Sequence, residues 1–465
     1  MDVAVGGYKL SRYNFVFPRD NGKALAYNAV TNSLAEIDED VEAALRNPST
    51  LSKMVTMALE GNREKDILSK LEAGRFIIPQ TLDEIDYMRV MYDQSKFATS
   101  SLGLTIAPTL DCNFRCTYCY ERHRVEHMTP EVEAALVDFV KRMMRPVRFL
   151  NVTWYGGEPL LALDGIIRLS REFMQLCDKH SCEYSASMIT NGYLLNPGII
   201  PSLKEIKVRT VQVTLDGPPQ VHDKRRFLVG GAPTFEVLMS NLQAMAGQFD
   251  IPLRINVDKE NSGSIPELLR IFKRMDLIEP TTRIYPYLAP GTAYTEACES
   301  VYSNCLRGHE FAEFEIRAIR ELLEEDINLV HYPVKSPGAC GAPRTMSYVV
   351  DPDGLLYKCW NEVGTSEMAV GNLGDSAPMF DARLMRWLRY TPFDRHECCS
   401  CAFFPLCTGG CPYVALWLPD KIEENCTRWK YYLGESLKLF ADVRQRQRSE
   451  HPASSMEAPG TRSTV

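Results

Sequence analysis

Cys112, Cys116 and Cys119 stand in the order Cys-x3-Cys-x2-Cys, directly after the apolar run 102–107. Three soft thiols crowded at the end of a strand suit an iron–sulfur cluster, which normally takes four cysteines. A cubane held by three protein thiolates keeps one iron open, and a small molecule with amino and carboxylate groups can chelate there. A zinc knuckle would use the same residue type. Zinc loops, however, supply Cys-x2-Cys pairs with a second pair nearby, and none follows within about fifty residues.

A second group of thiols lies near the other end of the chain. Cys340 is followed by thirteen residues, Gly354, four more and Cys359; then come Cys398-x2-Cys401-x5-Cys407-x3-Cys411 and Cys426, with Cys399 as an extra thiol. Cys177, Cys182, Cys298 and Cys305 are scattered between the groups. Fifteen cysteines in 465 residues are hard to explain as disulfides in a reducing compartment, so ligation of metal or cluster is the better reading. Zinc would compete at the second group, because Cys-x2-Cys pairs also bind that ion.

The elements that must position these thiols follow from pattern. Strand-like runs at 102–109, 149–155, 184–190, 210–215, 252–257 and 283–288 alternate with helical stretches at 129–144, 164–180, 234–248 and 265–275. Such β-α units imply a parallel sheet with helices outside, an open, partial (β/α)6 barrel. In βα barrels chemistry collects on loops after the C-terminal strand ends. The cysteine loop follows the first strand, Gly156-Gly157-Glu158-Pro159 the second, Thr190-Asn191-Gly192 the third and Thr214-Leu215-Asp216-Gly217-Pro218 the fourth. Arg254 and Asn256 on the fifth strand alternate with Val257 and suit a polar barrel lining.

Before the barrel, 13–19 and 23–28 read as a hairpin around Asp20-Asn21-Gly22. Residues 34–45, 51–59 and 66–73 read as helices, with Asp38 and Ser49–Thr50 as caps, 74–79 as a closing strand and 84–96 as a polar linker helix. After it, 349–359 reads as a hairpin turning at Pro352-Asp353-Gly354. One helix runs from Trp429 to about Arg446, and 451–465 has the composition of a disordered tail. The resulting division is 1–95, 96–330, 331–430 and 431–465.

The bulk numbers exclude several classes. Net charge is -8, with 60 acidic and 52 dispersed basic residues, which argues against nucleic acid. No run of about 18 apolar residues occurs, and the N-terminus lacks a basic segment followed by an apolar one. A soluble, cytoplasmic protein with no membrane partner is expected.

The Cys-x3-Cys-x2-Cys spacing with Tyr118 before the last cysteine, together with Gly-Gly-Glu-Pro at the second strand, resembles the radical S-adenosylmethionine (radical SAM) enzymes. The resemblance implies a SAM-binding 4Fe-4S cluster on Cys112, Cys116 and Cys119. SAM contacts would come from Tyr118, Gly156, Gly157 and Glu158, and from Thr190, Asn191, Thr214 and Asp216. The seven C-terminal cysteines resemble the SPASM extension of peptide maturases, which implies two auxiliary 4Fe-4S clusters, three in all. Cys398, Cys401, Cys407 and Cys426 would complete one; Cys340, Cys359 and Cys411 would hold the other, its fourth position free or filled by another cysteine. The first 95 residues resemble the winged-helix element with which such maturases hold a leader peptide. A radical SAM maturase of a ribosomally synthesised precursor peptide is therefore expected, fed by a flavodoxin- or ferredoxin-type donor. A cysteine thioether is the favoured product, with carbon–carbon cross-linking and epimerisation as alternatives. In the related sulfatase maturases an aspartate base follows the cysteine equivalent to Cys359; Trp360 stands here, which weakens a formylglycine-forming activity. A non-catalytic iron–sulfur carrier or peptide-binding scaffold would need neither the glycine motif nor an open iron.

Overall fold

The computed structural model describes residues 7–145, 147–334, 338–375 and 381–450. The tail read as disordered lies outside them.

Asp20-Asn21-Gly22 makes the expected hairpin between β2 (Asn14–Pro18) and β3 (Ala24–Asn28), with Gly22 at φ +76°. The helix expected from Leu34 does not begin there. Ser33–Ile37 is β4, antiparallel to β3, and α1 runs Glu39–Arg46. Asn32 at φ +63° turns the chain back, so the alternating Leu34-Ala35-Glu36-Ile37 lies along β3 and ladder bonds override helix propensity. Asp38 occupies the cap position of α1 without a side-chain bond. Asn47, rather than Ser49–Thr50, caps α2 (Pro48–Met57) by accepting the Ser49 amide. After α3 (Asn62–Ala73), β5 (Ile77–Pro79) pairs with β1 (Tyr8–Leu10), a strand the pattern did not reveal. Asp83 caps the connecting helix α4 (Glu84–Phe97).

The centre is a parallel sheet in chain order: β6 (Ser101–Ile106), β7 (Phe149–Trp154), β8 (Glu183–Ile189), β9 (Val208–Thr214), β10 (Ile251–Val257) and β11 (Ile284–Pro290). These six strands form the open, partial (β/α)6 barrel. Burial alternates along β6, β8 and β10; in β10, Leu253, Ile255 and Val257 pack toward the helices and Arg254 and Asn256 face the other way. Helices α5 (Pro130–Met143), α6 (Leu163–His180), α7 (Ile200–Glu205), α8 (Pro219–Arg225), α9 (Phe235–Met245) and α10 (Ile265–Arg274) fill the connections, and α11 (Gly308–Leu323) follows β11. Leu268, Leu269 and Phe272 of α10 are fully buried in the main core; each such side chain contributes roughly 1.5–3 kcal/mol through apolar burial.

The C-terminal region joins this sheet. β12 (Ser347–Val350) runs parallel to β6, with Ser347 opposite Gly103 and Val350 opposite Ile106. β13 (Leu355–Tyr357) and β14 (Gly371–Asn372) extend it antiparallel, so the sheet has nine strands. The hairpin expected at 349–359 thus forms as β12–β13, with Asp351 accepting the Asp353 and Leu355 amides and the Tyr357 hydroxyl. The last helix spans Trp429–Glu450, with non-helical angles at Tyr432. Its start is tied to the barrel by Arg428, which donates to the Leu288 carbonyl and to the buried Glu315 of α11. The N-terminal sheet rests on the C-terminal thiol region: Phe15 meets Phe403 at 4.9 Å, and Arg12 Nη2 donates to the Cys399 carbonyl at 2.9 Å.

Candidate functional site

The cysteine loop leaves the C-terminal end of β6 and is pinned along its length. It pairs with the segment after α8: Arg115 N donates to Phe227 O, Thr117 N to Arg225 O and Val229 N to Asn113 O. Phe114 is fully buried and edge-on to Tyr193. The Cys112 sulfur accepts the Phe114 amide at 3.4 Å and the Asn191 side-chain amide at 3.8 Å, and Cys119 lies 3.5 Å from His123 Nε2. Burial pushes the Cys112 and Cys119 thiols up to about 12 and raises Cys116, which the guanidinium of Arg226 opposes. Arg226 Nε is buried without a hydrogen-bond partner, within electrostatic reach of Cys116. Buried amides and a guanidinium facing thiols suit thiolate ligation, which requires those protons to leave.

The second loop is wound onto the first. Gly157 N donates to Thr109 O and Glu158 N to Asp111 O. A Cβ on Gly156, whose φ is +121°, would sit 2.3 Å from Thr109 O, and one on Gly157 would sit 2.2 Å from Asp111 O. Glycine is needed here because backbone meets backbone. Glu158 is fully buried, and its carboxylate accepts Leu160 N at 3.1 Å, Thr190 Oγ1 at 2.7 Å and Asn191 N at 2.8 Å. It therefore ties the second loop to the end of β8. Asn191 continues the chain of bonds, donating to Asn113 at 2.7 Å.

Asp216, after β9, organises the opposite side. Its carboxylate accepts the Tyr118 hydroxyl and the Asn256 amide, and its own amide donates to His222 Nδ1. Tyr118 Oη further accepts Arg226 Nη1 at 2.8 Å and Asn256 Nδ2 at 3.2 Å. Arg225 stacks over the Tyr118 ring and pairs with Asp258 at 2.7 Å. Thr214 ends β9, buried beside this web. Thr190, Asn191, Tyr118 and Asp216 are thus brought against the cysteine loop. The pattern did not single out Asp258 or Asn261, whose amide donates to the Asp216 and Asn256 carbonyls.

A third set was also not anticipated. Tyr120 and Tyr155 join hydroxyls, and Tyr155 faces Trp360 at 6.3 Å between ring centroids. Tyr120 follows Cys119, Tyr155 precedes Gly156 and Trp360 follows Cys359, so this patch spans the two thiol groups. Cys119 and Cys359 both lie within electrostatic reach of the Tyr120 hydroxyl. Trp360 is 48% exposed. Beside it, burial raises the Glu121 carboxyl to about 8, and one of its oxygens has no hydrogen-bond partner.

The C-terminal thiols sort into two groups. Burial, with Cys398, Cys401 and Cys426 nearby, raises Cys407 to about 11. Cys359 is raised by burial with Cys340 and Cys411 as its neighbouring thiols, and Cys411 by burial with Cys340. The resemblance to the SPASM extension assigns Cys398, Cys401, Cys407 and Cys426 to one cluster and Cys340, Cys359 and Cys411 to the other. Among the described residues no three His, Cys, Asp or Glu side chains converge to chelate a single metal ion.

Residues 106–271, which contain all of the strand-end loops above from Cys112 to Asp216, match the radical SAM superfamily. This part of the chain is a radical SAM domain. It is similar to the cysteine-type anaerobic sulfatase-maturating enzyme of Clostridium perfringens strain 13, 26% identical over 375 residues covering 73% of this chain and 95% of that protein. The serine-type enzyme of Klebsiella aerogenes is 24% identical over 326 residues, 65% of this chain and 77% of its own. The fold resembles the solved structure of native anSMEcpe with bound AdoMet and Cp18Cys peptide, with TM-score 0.55 and 21% identity over 74% of this chain and 99% of that one. It also resembles Streptococcus suis SuiB bound to precursor peptide SuiA, with TM-score 0.50 and 14% identity over 90% and 98% of the two chains. Among the described residues no helix is long and apolar enough to cross a membrane.

Proposed function

We propose that the enzyme matures a ribosomally synthesised peptide by installing a cross-link, a thioether from a cysteine being the favoured product. The observation that carries this is the Tyr120–Tyr155–Trp360 patch, which lies between the Cys112–Cys119 loop and the Cys359 thiol. A substrate carbon at the first and a substrate thiolate at the second would meet over it. In this reading Cys112, Cys116 and Cys119 hold a 4Fe-4S cluster with an open iron, and the Glu158–Thr190–Asn191 and Tyr118–Asp216 webs shape the SAM site. Cys398, Cys401, Cys407 and Cys426 hold one auxiliary cluster, and Cys340, Cys359 and Cys411 the other.

Held by Cys112, Cys116 and Cys119, the cluster with SAM would supply radical chemistry able to remove a hydrogen atom from an unactivated carbon. The chain's own residues fix geometry and exclude water. Asp216 and Arg226 hold the Tyr118 ring beside the loop, and the aromatic patch offers an apolar surface to the substrate. The peptide loses two hydrogens, one to 5'-deoxyadenosine and one as the thiol proton. One electron is consumed in cleaving SAM, and a second is released from the peptide as the C–S bond forms, for which a cluster held by the C-terminal cysteines would be the acceptor. Residues 1–95 form the leader-binding domain, 96–330 the catalytic barrel and 331–430 the auxiliary-cluster domain, in a cytoplasmic protein reduced by a flavodoxin- or ferredoxin-type donor. Both solved neighbours hold a bound peptide, which supports a peptide substrate.

Anaerobic incubation with SAM, reductant and a cysteine-containing precursor is expected to give a peptide about 2 Da lighter with one thiol masked. Unchanged peptide alongside competent SAM cleavage would sink the cross-linking reading. The sulfatase-maturating relatives favour a second reading, oxidation of a cysteine or serine to formylglycine, which an aldehyde product would establish.

A further inference from the structure

Two tyrosine hydroxyls near the C-terminal thiols, those of Tyr92 and Tyr390, are buried without a hydrogen-bond partner. Tyr92 lies on α4 and is 3% exposed; Tyr390 caps the helix Ala382–Arg389 and is 8% exposed. Both are held in place. The Tyr92 ring meets Phe393 edge-on at 5.7 Å, and the Tyr390 carbonyl accepts the amine of buried Lys96 at 2.8 Å. A Cβ on Gly409 would lie 3.6 Å from the Tyr390 hydroxyl, which places that hydroxyl at the turn between Cys407 and Cys411. Cys340 is within electrostatic reach of both hydroxyls, and Cys398 and Cys411 of that of Tyr390.

A buried O–H is costly to leave unpaired, and native structures rarely do so without a ligand in the unfilled place. Thiols lie within electrostatic reach of both hydroxyls, and the sulfurs of an iron–sulfur cluster accept hydrogen bonds. Resting on the three-cluster reading above, we propose that Tyr92 and Tyr390 donate hydrogen bonds to the sulfurs of the auxiliary cluster held by Cys340, Cys359 and Cys411. They are positioning residues that tune its potential. A donor to cluster sulfur stabilises the more negative, reduced state and raises the potential, which favours taking an electron from the peptide.

The test uses the full chain reconstituted anaerobically with iron and sulfide, as wild type, Tyr390→Phe, Tyr92→Phe and the double variant. Phenylalanine removes the hydroxyl and keeps the ring. Midpoint potentials are read by redox titration followed with electron paramagnetic resonance, alongside iron content. The expected result is full iron loading, about twelve per chain. One midpoint should move to more negative potential in each single variant and further in the double, and the signal that moves should be the one Cys340→Ala abolishes. Unchanged midpoints at full loading, or a shift confined to a signal that survives Cys340→Ala, would overturn the proposal. Should Tyr390→Phe lose iron, Tyr92→Phe decides by the same criteria. Wild type carrying only about four irons would instead defeat the three-cluster reading, whatever the tyrosine variants show.

Discussion

Gly157 has no room for a side chain. A methyl there would lie 2.2 Å from the Asp111 carbonyl, which is backbone and cannot rotate aside. The Asp111 carbonyl also receives the Glu158 amide and stands next to Cys112, so displacing it moves the cysteine loop. On the three-cluster reading, Gly157→Ala is expected to lose about four irons per chain and to form no 5'-deoxyadenosine, while the rest of the iron is retained; iron analysis and product chromatography check this. Glu158 accepts three hydrogen bonds while fully buried, which removes it from any free surface of the site. The Gly-Gly-Glu-Pro motif, visible in sequence as a glycine pair before an acid, is therefore as much a clasp between two loops as a binding surface. The part that escaped the sequence is the aromatic patch. Tyr120, Tyr155 and Trp360 sit beside motif residues in sequence, and only folding shows that they touch.

Among the elements, the β12–β13 hairpin has the most to hold, because it ends at Cys359. Asp351 satisfies two turn amides and the hydroxyl of fully buried Tyr357. Asp351→Ala would leave that hydroxyl unpaired and is expected to cost about 1–3 kcal/mol in unfolding free energy and, on the proposed assignment of Cys359 to a cluster, to lower iron content; urea denaturation and iron analysis measure both. The barrel strands could be read because each run is short and bounded by turns, a local property. β1 and β4 could not, since their partners decide their state: Tyr8–Leu10 is a strand only because Ile77–Pro79 lies beside it. The union of β12 with β6 was equally hidden, because nothing local marks which edge of a sheet a distant hairpin will join.

Over the whole molecule, the buried His222 and the half-buried His331 set an acid limit. Burial holds His222 well below its ordinary value and His331 at about 4, with Arg226 and Arg428 respectively reinforcing the effect. The unfolded chain takes up both protons near pH 6.5, and the folded chain refuses them until lower pH. Their contribution is complete above about pH 6.5 and falls away as the pH drops toward the folded values, by a few kcal/mol in total as an order of magnitude. Urea unfolding of the metal-free protein is expected to show stability declining from about pH 6.5 to 4.5, with a shallower slope in His331→Gln. An equal slope in that variant would remove His331 from the account.

The pairing of β6 with β12 also has a consequence for how the chain is made. Ile106 leaves the ribosome long before Val350, and at ordinary elongation rates the interval is roughly 12–50 s. Throughout it, one edge of the first barrel strand lacks its ladder partner, and an open strand edge is a template for sticking to other chains. The nascent enzyme thus passes through a stage in which its three leading thiols are already present beside an unfinished edge. Iron delivery and chaperoning both have to fit within that window.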